Sequence, residues 1–218
     1  MLVLSHPAPM FATNCWVIAP SEGSECIIVD PGMPDISADI QSLVSQYRLK
    51  PVASFLTHAH LDHTFSIKPL ADGYGIPAYI HSEDRRFIAE PAGLHGAEFQ
   101  EALAGMIFEE PVDVRELKND ERLQVLGMNL RAIHAPGHTK GSLIYLLNEE
   151  ILISGDVLFA GSIGRTDLPT GSATDMANTL RKKVLPLDDS VRVLTGHGPE
   201  TTIKYERKNN PYLKELRL

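Results

Sequence analysis

The stretch THAHLDHTFS, residues 57–66, sets three histidines and one aspartate within six positions, directly after the apolar run PVASFL. In an extended segment, residues two apart point to the same side, so His58 and His60 can aim both rings at one point. If the chain turns into a helix after Leu61, Asp62 and His63 present to a second point close by. Imidazole nitrogen and carboxylate oxygen suit Zn²⁺, and also Mn²⁺ or Fe²⁺, at about 2.0–2.2 Å. A solvated loop would account for a single histidine, but four ligand-type residues this close together point to metal.

Further ligands are expected where strands end. His138 lies in HAPGHTKGS, where Pro136 and Gly137 punctuate a strand exit. Asp156 ends the apolar run of ILISGDVLF, and a buried carboxylate needs a cation or donors. His197 follows VRVLTG in the same manner, so three separate strands end in glycine plus a ligand. Five histidines and two aspartates are too many for one tetrahedral ion, which indicates two divalent metals sharing a carboxylate. The other histidines, His6, His81, His95 and His134, read as structural or surface groups.

A chain of 218 residues, 43% hydrophobic, is large enough for one sizeable core. Its net charge of −8 argues against a nucleic-acid or anionic-membrane partner, since phosphate binding relies on clustered Lys and Arg. No apolar run approaches the ~20 residues that span a bilayer, and Pro7 and Pro9 break the N-terminal segment, so a secretory leader is not expected. The two cysteines, Cys15 and Cys26, flank an apparent hairpin turn and read as reduced, half-buried thiols. A cytosolic enzyme is the expectation.

LVLSH, NCWVIAP and ECIIVDPG read as strands, and Asp35 precedes a helix whose face carries Ile36, Ile40, Leu43, Val44 and Tyr47. VASFLT and IPAYIH are further strands, with Ser82 placed to cap the helix after the second. Residues 91–122 mix a short helix with loop and lack periodicity, as a binding loop often does. From residue 123 the β pattern returns through LQVLGMNLRAIHAP, GSLIYLL, ILISGDVLF and VRVLTGHG, with a helix at TDMANTLRKKVL. Two similar β/α halves packed as one domain follow from this order.

The order HAHLDH, APGHTKGS, SGDVLFAGSIGRTD and TGHGPETT resembles the metallo-β-lactamase-fold hydrolases, whose signature is HxHxDH. The resemblance implies an α+β, four-layer αββα sandwich formed as a single domain over residues 1–218. It also implies that His58, His60 and His138 bind one metal and that Asp62, His63 and His197 bind a second, with Asp156 bridging. Within that superfamily GDVLFAGSIGRTDLPTG is most similar to glyoxalase II and its shorter bacterial relatives, which hydrolyse small-molecule thioesters such as S-lactoylglutathione.

The same GRTD also resembles iron persulfide dioxygenases, which share the fold and use one Fe²⁺. Two departures from glyoxalase II stand out. Only about twenty residues follow TGHGPE, where glyoxalase II has a helical C-terminal extension, and Arg165 and Asp167 stand where Lys and Tyr contact glutathione. Asp62 would orient the attacking water. Arg165 could grip a substrate carboxylate or pair with Asp167. Tyr145 is expected to pack in the interior, and Phe159, close after Asp156, to pack as well or to line the groove that holds the metals.

Overall fold

A computed structural model describes residues 1–33 and 36–216, with the side chains of Ala97, Glu98 and Gln100 outside that description. Asp35, the residue expected ahead of the first helix, therefore lies outside the described residues. Six strands of the first half form one sheet: β1 (Leu2–Pro7), β2 (Asn14–Ala19), β3 (Glu25–Val29), β4 (Lys50–Phe55), β5 (Ala78–His81) and β6 (Val114–Leu117). Six of the second half form another: β7 (Glu121–Val125), β8 (Met128–His134), β9 (Leu143–Leu147), β10 (Ile151–Gly155), β11 (Arg192–Thr195) and β12 (Thr201–Thr202). Strand order in each sheet follows the chain, so sequence neighbours are spatial neighbours. Both sheets are mixed: β3 to β6 run parallel in the first, and β10 and β11 run parallel in the second.

Strands buried on both faces need no polar alternation, and β2 is buried at every position. Its period of two instead sorts residues between layers. Cys15, Val17 and Ala19, with Cys26 and Ile28 of β3, pack against the helices α1 (Ile36–Gln46) and, beyond α2 (Leu61–Thr64), α3 (Ile67–Tyr74). Trp16, Ile18, Ile27, Val29 and Phe55 face the other way and meet Leu143, Tyr145, Leu147, Ile151 and Ile153 of the second sheet. On that sheet's outer face, Ile144, Leu146, Leu152 and Val193 take Met176, Leu180, Ile203 and Leu213 from the C-terminal helical segments. The layers are thus helix, sheet, sheet, helix, and the fold is the expected αββα sandwich. Tyr145 sits fully buried between the sheets, as expected, and its hydroxyl donates to the Leu56 carbonyl at 2.6 Å.

Several local expectations need correction. The helix α4 (Ser82–Arg85) is capped by His81, whose Nδ1 accepts the Glu83 N–H at 3.2 Å, and not by Ser82. Strand β6 went unforeseen because only Leu117 of its VREL is buried, which leaves no alternation to read. The short helix expected in residues 91–122 is α5 (Ala97–Ala102), and a 3₁₀ turn, Pro91–Leu94, precedes it. Both cysteines are free and fully buried, not half-buried, and burial pushes the Cys26 thiol up to about 12. Register pairs Trp16 with Val29 and Ile18 with Ile27, which keeps the two thiols at opposite ends of the strand pair. Among the described residues no helix is long and apolar enough to cross a membrane.

Candidate metal centre

Parallel strands deliver their C-terminal ends to one edge of a sheet, and that edge collects the ligand-type residues. His58 and His60 follow β4 in extended backbone, with His60 at φ −63° and ψ 143°. Helix α2 starts at the next residue and carries Asp62 and His63. His138 lies in the loop from β8 to β9, Asp156 directly after β10, and His197 after β11. The structure brings all seven of these residues together.

His138 Nε2 lies 2.8 Å from His60 Nδ1 and 3.2 Å from His58 Nε2. His63 Nε2 lies 3.3 Å from His197 Nε2 and 3.5 Å from Asp62 Oδ2. Asp156 stands between the two groups: Oδ2 is 3.4 Å from His138 Nε2 and 3.5 Å from His197 Nε2, and Oδ1 is 3.3 Å from His63 Nε2. The ligand atoms of His58, His60 and His138, and those of Asp62, His63 and His197, each lie within 4.8 Å of one another.

The donor set can be tested for fit to a cation. His138 Nδ1 donates to the Arg165 carbonyl at 2.8 Å, and a carbonyl only accepts. The Thr57 hydroxyl donates to Asp30 Oδ2 at 2.7 Å, so it accepts from His58 Nδ1 at 3.0 Å. In the neutral form, both rings therefore turn an Nε2 lone pair inward, and those two lone pairs face each other. Buried His60 Nε2 has no hydrogen-bond partner among the described residues, and buried Asp156 Oδ1 has only the 3.3 Å contact with His63 Nε2. Lone pairs packed against lone pairs and a buried carboxylate are costly without positive charge, so the residues fit a cation.

The protonation tendencies divide the centre. Burial, reinforced by neighbouring histidines, holds His58 and His60 well below the usual imidazole range. Burial opposes charge on His63 and His197 as well. There, however, Asp156 and Asp62 outweigh it, raising His63 and lifting His197 to about 9. Asp62 and Asp156 resist their own burial because His63 and His197 face them, and both stay well below the carboxylate range.

Outer contacts fix these candidate ligands. Asp30, which sequence reasoning passed over, accepts from the Thr57 N–H at 2.8 Å and from His63 Nδ1 at 2.9 Å. It does so with φ +50°, a backbone region strained for a residue with a Cβ. Thr13 Oγ1 donates to Asp62 Oδ2 at 2.7 Å, and the Phe11 carbonyl accepts from His197 Nδ1 at 3.0 Å. Buried Asp84 ties the HAHLDH segment to the His138 loop: it accepts from the Ala59 N–H, the Thr139 hydroxyl and the Gly141 N–H. The glycines before the ligands have a steric cause. Gly155 holds φ +48°, and a Cβ there would meet Thr57 Oγ1 at 2.5 Å, while one on Gly196 would meet Asp156 Oδ1 at 2.2 Å.

A groove of about 580 Å³ opens over the centre, lined by Phe11, His95, Phe99, Phe159, Leu168 and Arg165 beside the ligands. His95, expected to be peripheral, lies tilted beside His60 with ring centroids 5.0 Å apart and accepts the Leu61 N–H through Nε2. Phe159 faces this groove rather than the interior. Arg165 lines the groove too, with its guanidinium held by Asp167 through two contacts of 2.8 Å. His81 and His134 lie apart from the centre, stacked on each other at 4.1 Å. His6 pairs with Asp39 at the surface.

The sequence profile of the metallo-beta-lactamase superfamily matches residues 8–197, and the chain belongs to that family. An uncharacterised Mycobacterium tuberculosis protein is 39% identical over 99% of both chains. The hydroxyacylglutathione hydrolase GloC of Haemophilus influenzae is 34% identical over 95% of both. Among solved structures, the B3 metallo-beta-lactamase BLEG-1 superposes with a TM-score of 0.86 at 34% identity, covering 97% of this chain and 99% of its own. TTHA1623, solved in a di-iron-bound form, gives 0.79 at 30% identity over 98% of this chain and 100% of its own. ETHE1 from Myxococcus xanthus, at 20% identity with a TM-score of 0.78 over 100% of this chain and 90% of its own, shares the fold.

Proposed function

We propose that the protein is a dinuclear metal-dependent hydrolase of thioesters, cleaving an acyl-thiol such as S-lactoylglutathione or a related ester to a hydroxy acid and a thiol. One observation carries the reading: a complete second cluster, Asp62, His63 and His197, stands beside the first, with Asp156 within reach of both. His58, His60 and His138 would hold one ion, the second cluster would hold the other, and Asp156 would touch each. When bound, divalent ions supply a water acidic enough to react at neutral pH and a Lewis acid for the carbonyl oxygen. Zinc suits this donor set, and so do iron and manganese. The likeness to TTHA1623 gives iron some weight.

The chain's own residues do the positioning. Thr13 holds one oxygen of Asp62, which fixes the carboxylate that would orient the attacking water. Phe11, Phe99, Phe159 and Leu168 form apolar walls that limit water at the scissile bond. Arg165, at the groove's edge, is placed to contact the substrate. A thiolate leaving group, with a conjugate acid near ~8.5, departs without a protein acid, and the histidines of both clusters would be taken up as ligands and unable to serve as one. An amide nitrogen would need such an acid, so a thioester suits the site better. The relation to GloC supports this choice.

The rival reading is a mononuclear iron persulfide dioxygenase, favoured by GRTD at residues 164–167. Metal-replete protein should release thiol from a lactoyl thioester without consuming oxygen. Oxygen uptake with a persulfide, one iron per chain and no thioester cleavage would replace the hydrolase with the dioxygenase. A β-lactam belongs in the same assay because of the likeness to BLEG-1.

A further inference from the structure

The walls of the groove over the candidate centre are what the thiol half of the substrate would meet. On the side of the first cluster, His95 lies against His60 and Phe99 lies against His95, with ring centroids 4.3 Å apart. On the side of the second cluster, Phe159 meets His197 edge-on at 5.7 Å, and the exposed ring of Phe11 stands at the mouth. Leu168 completes this apolar lining. Among the described residues that line the groove, Arg165 is the single Lys or Arg. Its charge is matched by Asp167 in a two-point contact.

The flanking sequence has the same character. Residues 91–110 contain four glutamates, Glu98, Glu101, Glu109 and Glu110, and neither Lys nor Arg. Residues 8–13, APMFAT, carry no charge. A carboxylate brought into such a groove loses water and gains no free cation, which costs binding. The two ions of the proposed centre attract the acyl carbonyl, but glutathione's two carboxylates lie several bonds from the sulfur, out along the walls.

Resting on the thioesterase reading above, we infer that the groove recognises a thiol carrier that is apolar and bears no carboxylate, in contrast to glutathione. The aromatic walls take its hydrocarbon part. The Arg165–Asp167 pair offers polar edges without net charge.

The test uses metal-replete protein and one acyl group on two thiols: S-lactoylglutathione and the lactoyl thioester of N-acetylcysteamine, a small neutral thiol. The neutral ester should have the higher kcat/KM by about tenfold or more, the factor expected for a charged group left without a partner. Asp167→Asn, which releases Arg165 from its counter-charge, should shift the ratio of the two esters toward glutathione by about the same factor. Equal or better turnover of the glutathione ester, or a ratio unmoved by Asp167→Asn, would overturn the inference while leaving the hydrolase intact. Calorimetry with the S-methyl thioethers of the same two thiols reads the groove without catalysis. Tighter binding of the neutral thioether supports the inference, and tighter binding of S-methylglutathione overturns it. Failure to cleave either ester removes the thioesterase reading, and this binding comparison then decides the inference.

Discussion

The two halves of the candidate metal centre are built differently. His58, His60 and His138 are each 3% exposed or less, two of them on one extended segment, and Asp84 clamps that segment to the loop of the third. In the other half, the side chains of Asp62 and His197 are 19% and 27% exposed. Those residues depend on the β1–β2 connection, through Thr13 and the Phe11 carbonyl, for their orientation. The first half presents neutral rings with bare lone pairs, whereas the second concentrates carboxylates that hold protons on His63 and His197. The contrast predicts a tight first ion that is indifferent to pH and a weaker second ion for which protons compete.

Asp156 is common to both halves, so Asp156→Ala should have the largest effect. Thioester turnover should fall about 10³-fold or more, the equivalent of roughly 4 kcal/mol of transition-state stabilisation, and elemental analysis should show depleted metal. Near-normal turnover would end its bridging role. Next, Thr13→Val should weaken the second ion by about 10- to 100-fold, the usual reach of a group that orients a ligand. The first ion should be unaffected, as read by competition with a chromophoric chelator.

The pH dependence separates the halves directly. A proton must leave His197 before its lone pair can bind metal. His63 holds its proton for the same reason, so the second ion's affinity should rise with pH through the titration of His197, near 9. The first ion's affinity should stay flat across the same range, because burial already keeps His58 and His60 unprotonated. Parallel slopes for both ions would erase the distinction.

The smallest effect belongs to His81, outside the centre. Burial and the ring of His134 bring it down to about 4, against an unfolded value of about 6.5. Because the folded value is the lower one, the unfolded chain takes up more protons between these limits. Stability should thus be retained above about pH 6.5 and lost as pH falls toward 4. His81→Asn keeps an acceptor for the Glu83 N–H and should flatten that window in urea titrations, with turnover unchanged.

The seven clustered residues were legible because their chemistry sits in local patterns, with imidazoles two apart and acids or histidines after glycine at strand ends. Asp30 ends the apolar strand ECIIV in the way that Asp156 ends ILISG, so the same signal was present in the sequence and went unused. Thr13, His95 and Asp84 could not be found by pattern. Their partners, Asp62, Leu61 and Gly141, lie 34 to 57 positions away, and no local rule links them. The four layers came from the family resemblance, while the alternation in β2 and β3, whose alternate residues supply different cores, went unused. Strand β6 was not legible, since an exposed edge strand places few constraints on its side chains.

Anomalous diffraction from a crystal of the metal-replete protein tests the account most directly. Two peaks are expected, one bordered by His58, His60 and His138 and the other by Asp62, His63 and His197, with a carboxylate oxygen of Asp156 against each. A single peak under full metal loading, or a pair of peaks that Asp156 does not touch, would contradict the dinuclear centre and the hydrolysis assigned to it.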